Sequence, residues 1–100
     1  MTPSKADHGE IQAFIEQHPA WRLENNKLHR EYIFRNFIEA FGFMTEIALL
    51  AESMNHHPEW LNVYQKLTID LSTHKAGGIT QLDFQLAQKM EQLALNRICQ

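Results

Sequence analysis

Residues 59–74 read EWLNVYQKLTIDLSTH and contain neither glycine nor proline. A single straight strand of that length would extend about 45 to 50 Å, because a strand rises roughly 3.3 Å per residue. A domain of 100 residues has a radius of gyration of about 13 Å and cannot accommodate such a strand. We therefore predict that this segment folds back on itself as an antiparallel hairpin.

The polar pair Gln65-Lys66 is the most suitable position for the turn of this hairpin. A two-residue turn there gives three cross-strand pairs, which are Tyr64 with Leu67, Asn62 with Ile69, and Trp60 with Leu71. The aromatic and aliphatic side chains of these pairs then share one face, as expected of a face that packs on the core. The same register, continued outward, sets His57 opposite His74, although a β-bulge would shift it.

The chain before this hairpin predicts a helix, a first hairpin and a long second helix. Apolar residues follow helical spacing from Gly9 to Gln17, and Pro19 ends that segment. Two strand-like runs, Trp21 to Glu24 and Leu28 to Phe37, flank a turn-forming asparagine pair. The helical period returns from Ile38 to Met54. Residues 1–7 are polar and predict a flexible tail, followed by a single domain over residues 8–100.

The ends of the helices fix the positions of several polar residues. Asn55 and Pro58 end the second helix, so the pair His56-His57 lies where that helix stops. After a break at Gly77-Gly78, the run Thr80-Gln81-Leu82-Asp83 has the spacing of a capping box and predicts a last helix. Helices that connect hairpins favour an α+β fold, in which amphipathic helices cover one face of an antiparallel sheet.

Composition excludes several classes of protein. With 44% hydrophobic and 21% charged residues, the chain is typical of an ordinary globular domain. Its 9 basic and 12 acidic residues form no basic cluster, which argues against direct binding of nucleic acid. The run Ile47 to Ala51 is too short to span a membrane, and no signal peptide is recognisable. A single cysteine, Cys99, makes no intramolecular disulfide, so we expect a cytoplasmic protein.

Histidine is the most informative residue type, with six in the chain. Imidazoles exchange protons near neutral pH, so a group of them around one pocket suits general acid–base chemistry. A zinc site is disfavoured, because adjacent histidines before a proline lack the usual ligand spacing and no cysteine is near. No serine stands in a nucleophile-elbow context, and Cys99 lies at a frayed chain end.

The spacing of seven residues is similar to a known signature. Glu52 is followed by His56-His57-Pro58, then by Tyr64, His74 and Asp83. The segments around them, Ala40 to Met44, His57 to Trp60 and Leu71 to His74, are similar as well. Over about residues 20–95 the chain resembles the pterin-4a-carbinolamine dehydratases.

This resemblance implies a fold, a reaction and partners. The fold is a four-stranded antiparallel sheet with three helices packed on one face, in the order helix-strand-strand-helix-strand-strand-helix. The reaction removes water from a 4a-hydroxytetrahydropterin to give the quinonoid dihydropterin, without metal or redox cofactor. It supports pterin recycling for aromatic amino-acid hydroxylases, and members form homodimers or homotetramers. The alternatives are a dimerisation cofactor of a transcription factor and a pterin-binding module without activity.

The resemblance also implies residue roles. His56 and His74 would be the acid–base pair, and His57 would help to bind the pterin, which gives a catalytic set of His56, His57 and His74. The implied substrate-binding set is Glu52, Pro58, Trp60, Ser72, Thr73 and Asp83. Three members of this second set also have an ordinary structural explanation: Glu52 is typical of a solvated helix surface, Trp60 of a core face, and Asp83 of a helix cap. Asn55 departs from relatives that carry an acidic residue before the histidine pair.

Overall fold

The computed structural model describes residues 3–99 and has the predicted order of helices and strands. The elements are α1 (His8–Gln17), β1 (Arg22–Glu24), β2 (Lys27–Ile33), α2 (Phe37–Met54), β3 (Glu59–Val63), β4 (Lys66–Leu71), a short 3-10 turn (His74–Ala76) and α3 (Gln81–Ala94). The α+β class is thereby confirmed. None of the helices in this part of the chain is both long and apolar enough to cross a bilayer.

The four strands form one antiparallel sheet in the order β1-β2-β4-β3. Leu28 pairs with Leu71 and Tyr32 with Leu67, so the buried side chains of the two central strands share one face. That face joins the core with the apolar sides of the helices, whose buried members include Phe43 of α2 and Met90 of α3, among others. The opposite face carries ion pairs between charged side chains, as expected of a face without helices.

The predicted register of the β3–β4 hairpin is wrong. The turn lies at Tyr64-Gln65, and Asn62 pairs with Leu67 instead of Ile69. Tyr64 adopts a left-handed conformation with φ of 54°, and the amide of Asn62 donates to the carbonyls of Tyr64 and Lys66, which closes this turn. Tyr64 is consequently 62% exposed and does not join the core face.

The shifted register also separates the predicted histidine pair. Strand pairing ends at Glu59 with Asp70, so no ladder sets His57 opposite His74. Both residues lie beyond the paired strands, His57 before β3 and His74 in the 3-10 turn after β4. Any approach of the two histidines must therefore come from the loops and not from the sheet register.

Apart from shifts of one residue at the starts of other elements, three predictions differ from the structure. The second strand was expected to reach Phe37 but ends at Ile33, because Asn36 caps α2 by accepting the Glu39 amide at 2.9 Å. The N-terminal segment is fixed from Ala6 onward, since its buried amide donates to the Ile79 carbonyl at 2.7 Å. At the other end, the Cys99 amide donates to the Ile33 carbonyl at 2.8 Å, so Cys99 is not at a frayed end.

Candidate active site

The end of α2 turns the histidine pair in two directions. Asn55 has φ of 51°, a left-handed conformation that asparagine tolerates better than most residues, and it terminates the helix. The next amide, that of His56, still donates to the Ala51 carbonyl at 3.0 Å. His56 is buried, with 7% exposure, whereas the following His57 is exposed.

His74 is held near them by the loop after β4. Thr73 and Gly78 form an isolated bridge, in which the Thr73 amide donates to the Gly78 carbonyl at 2.7 Å. The left-handed Gly77, with φ of 76°, closes the short 3-10 turn that begins at His74. His74 is exposed, and its ring makes no side-chain hydrogen bond to any residue between 3 and 99.

The three histidines line one cavity of about 610 Å³, which we call the histidine cavity. Its walls come from the end of α2, the loop after β4, the start of α3 and the N-terminal segment. The lining residues are Pro3, Met54, Asn55, His56, His57, Ser72, Thr73, His74, Lys75 and Leu82. All three predicted catalytic histidines therefore line one cavity, although the predicted strand register is wrong. The loops, and not the strand pairing, bring them together.

The predicted substrate-binding residues divide into two groups. Ser72 and Thr73 line the histidine cavity, whereas the other four are absent from its lining. Glu52 has an exposed side chain that meets the Nε2 of His57 at 2.8 Å. Trp60 packs at the edge of the core.

Asp83 is fully buried behind the cavity, with 0% exposure. Its Oδ1 lies 2.5 Å from the Nε2 of His56. Its Oδ2 accepts from the Thr73 hydroxyl and from the Thr80 amide, both at 2.9 Å. The predicted capping box is confirmed, because Thr80 is the N-cap of α3 and Asp83 is its third residue. Asp83 therefore joins the start of a helix to a histidine of the cavity.

The three imidazoles consequently have different surroundings. His56 is held by a buried carboxylate and His57 by an exposed one, whereas His74 has its ring free for the cavity. A cavity that offers both fixed and free imidazoles can accept a proton at one position and donate one at another. Between residues 3 and 99, the His, Cys, Asp and Glu side chains form no group of three suited to a metal ion.

Sequence reasoning missed several residues of the site. Thr80 was assigned only a capping role, yet its hydroxyl lies 2.7 Å from that of Thr73 and completes the buried network. Lys75 follows a predicted catalytic histidine and was detectable only by that position. Pro3 comes from a segment interpreted as a tail, and no local pattern indicates that this segment reaches the cavity.

Comparisons with known proteins agree on one family. The sequence profile described as "Pterin 4 alpha carbinolamine dehydratase" matches residues 4–93. A provisionally named pterin-4-alpha-carbinolamine dehydratase from Solibacter usitatus is 62% identical over 91 residues, covering 91% of this chain and 96% of that relative. One from Sinorhizobium fredii is 48% identical over 100 residues, covering 98% and 95%. A crystal structure from Brucella melitensis, described as a transcriptional coactivator/pterin dehydratase, is similar with a TM-score of 0.88 at 34% identity, covering 91% of this chain and 99% of that one.

Proposed function

The chain belongs to the pterin-4a-carbinolamine dehydratase family, and from this premise we propose that it dehydrates a 4a-hydroxytetrahydropterin to the quinonoid dihydropterin. The enzyme class is a hydro-lyase. The observation that carries the proposal is the histidine cavity, which has a volume of about 610 Å³ and is lined by three histidines. Cavities of about 300 to 1,000 Å³ are typical of sites for small molecules, so a bicyclic pterin fits this range.

The reaction requires one acid and one base. The substrate carries a hydroxyl on C4a beside an N5–H group, so the base takes the N5 proton while the acid protonates the departing oxygen. The N–H electron pair becomes the C4a–N5 double bond, and the C–O bond breaks to release water. His56 and His74 are the proposed acid–base pair, and His57 assists pterin binding. The elimination changes no overall oxidation state, so we propose that it needs neither metal nor redox cofactor.

The remaining predicted residues act around this pair. Ser72 and Thr73 border the cavity and are proposed to contact the pterin. Glu52 holds the ring of His57. Pro58 and Trp60 lie next to the histidine pair in sequence and are proposed to support that wall of the site. Asp83, being fully buried, acts through His56 and not by touching the pterin.

The decay of a freshly generated 4a-hydroxytetrahydropterin, followed by absorbance, tests the activity. We expect the wild-type protein to accelerate decay and His74→Ala to lower kcat by about 10² to 10⁴-fold, the usual contribution of a general acid or base. His74 is exposed and makes no side-chain hydrogen bond within residues 3–99, so its loss leaves the fold intact. His8→Ala is the matched control, because His8 is an exposed histidine of α1 outside the cavity.

Equal decay with wild type, with His74→Ala and without protein would contradict the dehydratase proposal, provided that circular dichroism shows folded protein. If His74→Ala accelerates decay as much as the wild type does, the dehydratase activity is supported and the catalytic role of His74 is contradicted. Loss of rate in His8→Ala as well would show that the assay responds to something other than the cavity.

A protein-binding role is the second candidate function. It is favoured by exposed apolar side chains on α2, where Ile38, Phe41 and Leu49 are 78%, 55% and 71% exposed. The Brucella melitensis relative is described as a transcriptional coactivator as well as a pterin dehydratase. We propose that this side of α2 serves association, including a homodimer or homotetramer, and that catalysis supports an aromatic amino-acid hydroxylase. Light scattering with Leu49→Glu tests the assembly, because a charge on this side should lower the molar mass.

A further inference from the structure

Behind the histidine cavity lies a chain of buried polar groups whose hydrogen bonds have a direction. Thr73, Thr80 and Asp83 have at most 7% exposure. The Thr73 hydroxyl donates to Asp83 Oδ2 at 2.9 Å, which uses its only hydrogen. In the contact of 2.7 Å between the two hydroxyls, Thr80 must therefore be the donor and Thr73 the acceptor. The Thr80 oxygen in turn accepts the Leu82 amide at 3.2 Å.

Two hydrogen-bond donors of this chain converge on Asp83. Its Oδ2 accepts both the Thr73 hydroxyl and the Thr80 amide, and its position in the first turn of α3 favours a negative charge. A buried carboxylate with these donors acts as an acceptor at Oδ1 also. The hydrogen in the 2.5 Å contact with His56 Nε2 then belongs to the imidazole.

The position of that hydrogen fixes the tautomer of the ring. A neutral imidazole carries one N–H, so a hydrogen on Nε2 leaves the lone pair on Nδ1. His56 lines the histidine cavity, and its Nδ1 has no hydrogen-bond partner within residues 3–99. We propose that Thr73, Thr80 and Asp83 lock His56 in the Nε2–H tautomer, so that Nδ1 faces the cavity as the base of the reaction.

This assignment rests on the proposed function and distinguishes the two partners of the acid–base pair. When His56 Nδ1 takes the N5 proton, the ring becomes an imidazolium beside the buried Asp83 carboxylate, which stabilises the positive charge. His74 has no such carboxylate and supplies the proton that leaves with the C4a oxygen as water. Both rings return to their starting state by exchanging one proton each with solvent. Asp83 and the two threonines are positioning residues in this scheme.

The tautomer can be measured without any substrate. Long-range ¹H–¹⁵N correlation spectra of the wild-type protein at about pH 8 distinguish the two tautomers of each histidine ring, with His56→Gln to assign the signals. We expect the Nε2–H pattern for His56. The Nδ1–H pattern in the wild type would overturn the proposal, whatever the enzymatic activity. The Nε2–H pattern in a protein without dehydratase activity would contradict the proposed function and not the locked tautomer.

Asp83→Asn reverses the expected tautomer. The amide oxygen takes the place of Oδ2, where two donors meet it, so the amide nitrogen faces His56 and donates to Nε2. His56 must then carry its hydrogen on Nδ1, which removes the base from the cavity. We expect the Nδ1–H pattern and a kcat about 10³ to 10⁴-fold lower, as when the carboxylate of a histidine–aspartate pair becomes an amide elsewhere. An unchanged tautomer in the folded variant would overturn the proposal.

The Thr73 hydroxyl gives a second test that keeps Asp83 in place. We expect Thr73→Val to lower kcat by about 10-fold with little change in KM, because a loosened base is misplaced and not removed. Thr73→Ser restores the hydroxyl and should recover most of the rate. Thr45→Val is the matched control, since the Thr45 hydroxyl donates to the Phe41 carbonyl on α2, outside the cavity. A Thr73→Val enzyme with wild-type kcat, or one changed only in KM, would contradict the positioning role.

Discussion

His29 lies outside the histidine cavity, and the groups around its ring are carboxylates. It lies on the sheet face opposite the helices and is only 6% exposed. Its Nδ1 is 2.8 Å from Asp70 on β4 and 4.0 Å from Glu24 on β1, and its Nε2 is 3.5 Å from Glu31 on its own strand. Burial lowers the pKa of His29, but hydrogen bonding and charge attraction from these carboxylates outweigh it, so the pKa is raised above its ordinary value.

A raised pKa makes the stability of the fold depend on pH. The folded state holds the His29 proton more tightly than the unfolded chain does. This contribution is therefore complete below the ordinary histidine value of about 6.5 and is lost as pH rises through the folded-state pKa. We expect Asp70→Asn to lower the free energy of unfolding by about 1.5 to 3 kcal/mol at pH 5.5, the range for hydrogen bonds to charged groups, and by clearly less at pH 9.

Urea unfolding of wild type and Asp70→Asn at both pH values measures this difference. Glu16→Gln serves as the control, because Glu16 is exposed and has no ion pair among residues 3–99. An equal cost of Asp70→Asn at pH 5.5 and pH 9 would mean that protonated His29 does not stabilise the sheet.

The two hairpins show how far turn chemistry can be read from a sequence. In the first, Asn25 and Asn26 have φ of 53° and 62°, values that asparagine tolerates, and the turn was predicted correctly. In the second, Tyr64 takes φ of 54°, which a bulky aromatic residue rarely adopts. The turn there depends on the Asn62 amide, whose bonds to two backbone carbonyls are not visible in a local pattern.

The left-handed Tyr64 predicts a stabilising substitution. The side chain is 62% exposed, so its loss removes little packing, and asparagine adopts φ near 54° at lower cost. We expect Tyr64→Asn to raise the free energy of unfolding by about 0.5 to 1 kcal/mol, measured by urea denaturation. Gln65→Asn is the control, because Gln65 lies in the same turn without a positive φ. A destabilised Tyr64→Asn protein would show that the exposed ring makes contacts that outweigh the backbone strain.

Local signals predicted the helices and the place of His56-His57 at the end of α2. The Thr80–Asp83 capping box and the end of α2 at Asn55 are confirmed, because both depend on residues within one helical turn. The bond between Asp83 and His56 joins residues 27 positions apart, and no spacing in the sequence specifies it. The same holds for Pro3, which reaches the cavity only through the path of the folded chain.

The whole molecule is too small to hold residues 59–74 as one straight strand, so this segment has to form a hairpin. Its radius of gyration is 13.1 Å and its longest extent is 36 Å, less than the length of residues 59–74 as one straight strand. The prediction that this segment folds back is confirmed, although its register is not. Overall size therefore restricted the topology, while individual turn residues set the register.

Net charge changes sign in a range close to neutrality. The formal charge is -3 at pH 7 with six neutral histidines, and the isoelectric point is about 6.0. Proteins associate most readily at the pH where their net charge is zero. In this protein, exposed apolar side chains such as Leu49 also favour association. We expect a solubility minimum near pH 6, measured by ammonium sulfate precipitation across pH. Glu16→Lys should move the minimum to higher pH, and an unmoved minimum would argue against net charge as its cause.

Asp83 starts α3 and also holds His56. Selection for folding alone would retain such a carboxylate in descendants that had abandoned catalysis. The side chain of His74 makes no hydrogen bond within residues 3–99, so only chemistry would preserve this imidazole. In newly sequenced relatives, the aspartate is therefore a marker of the fold and the histidine a marker of turnover. A relative that has the aspartate but lacks the histidine is expected to keep the fold and to have lost catalytic activity.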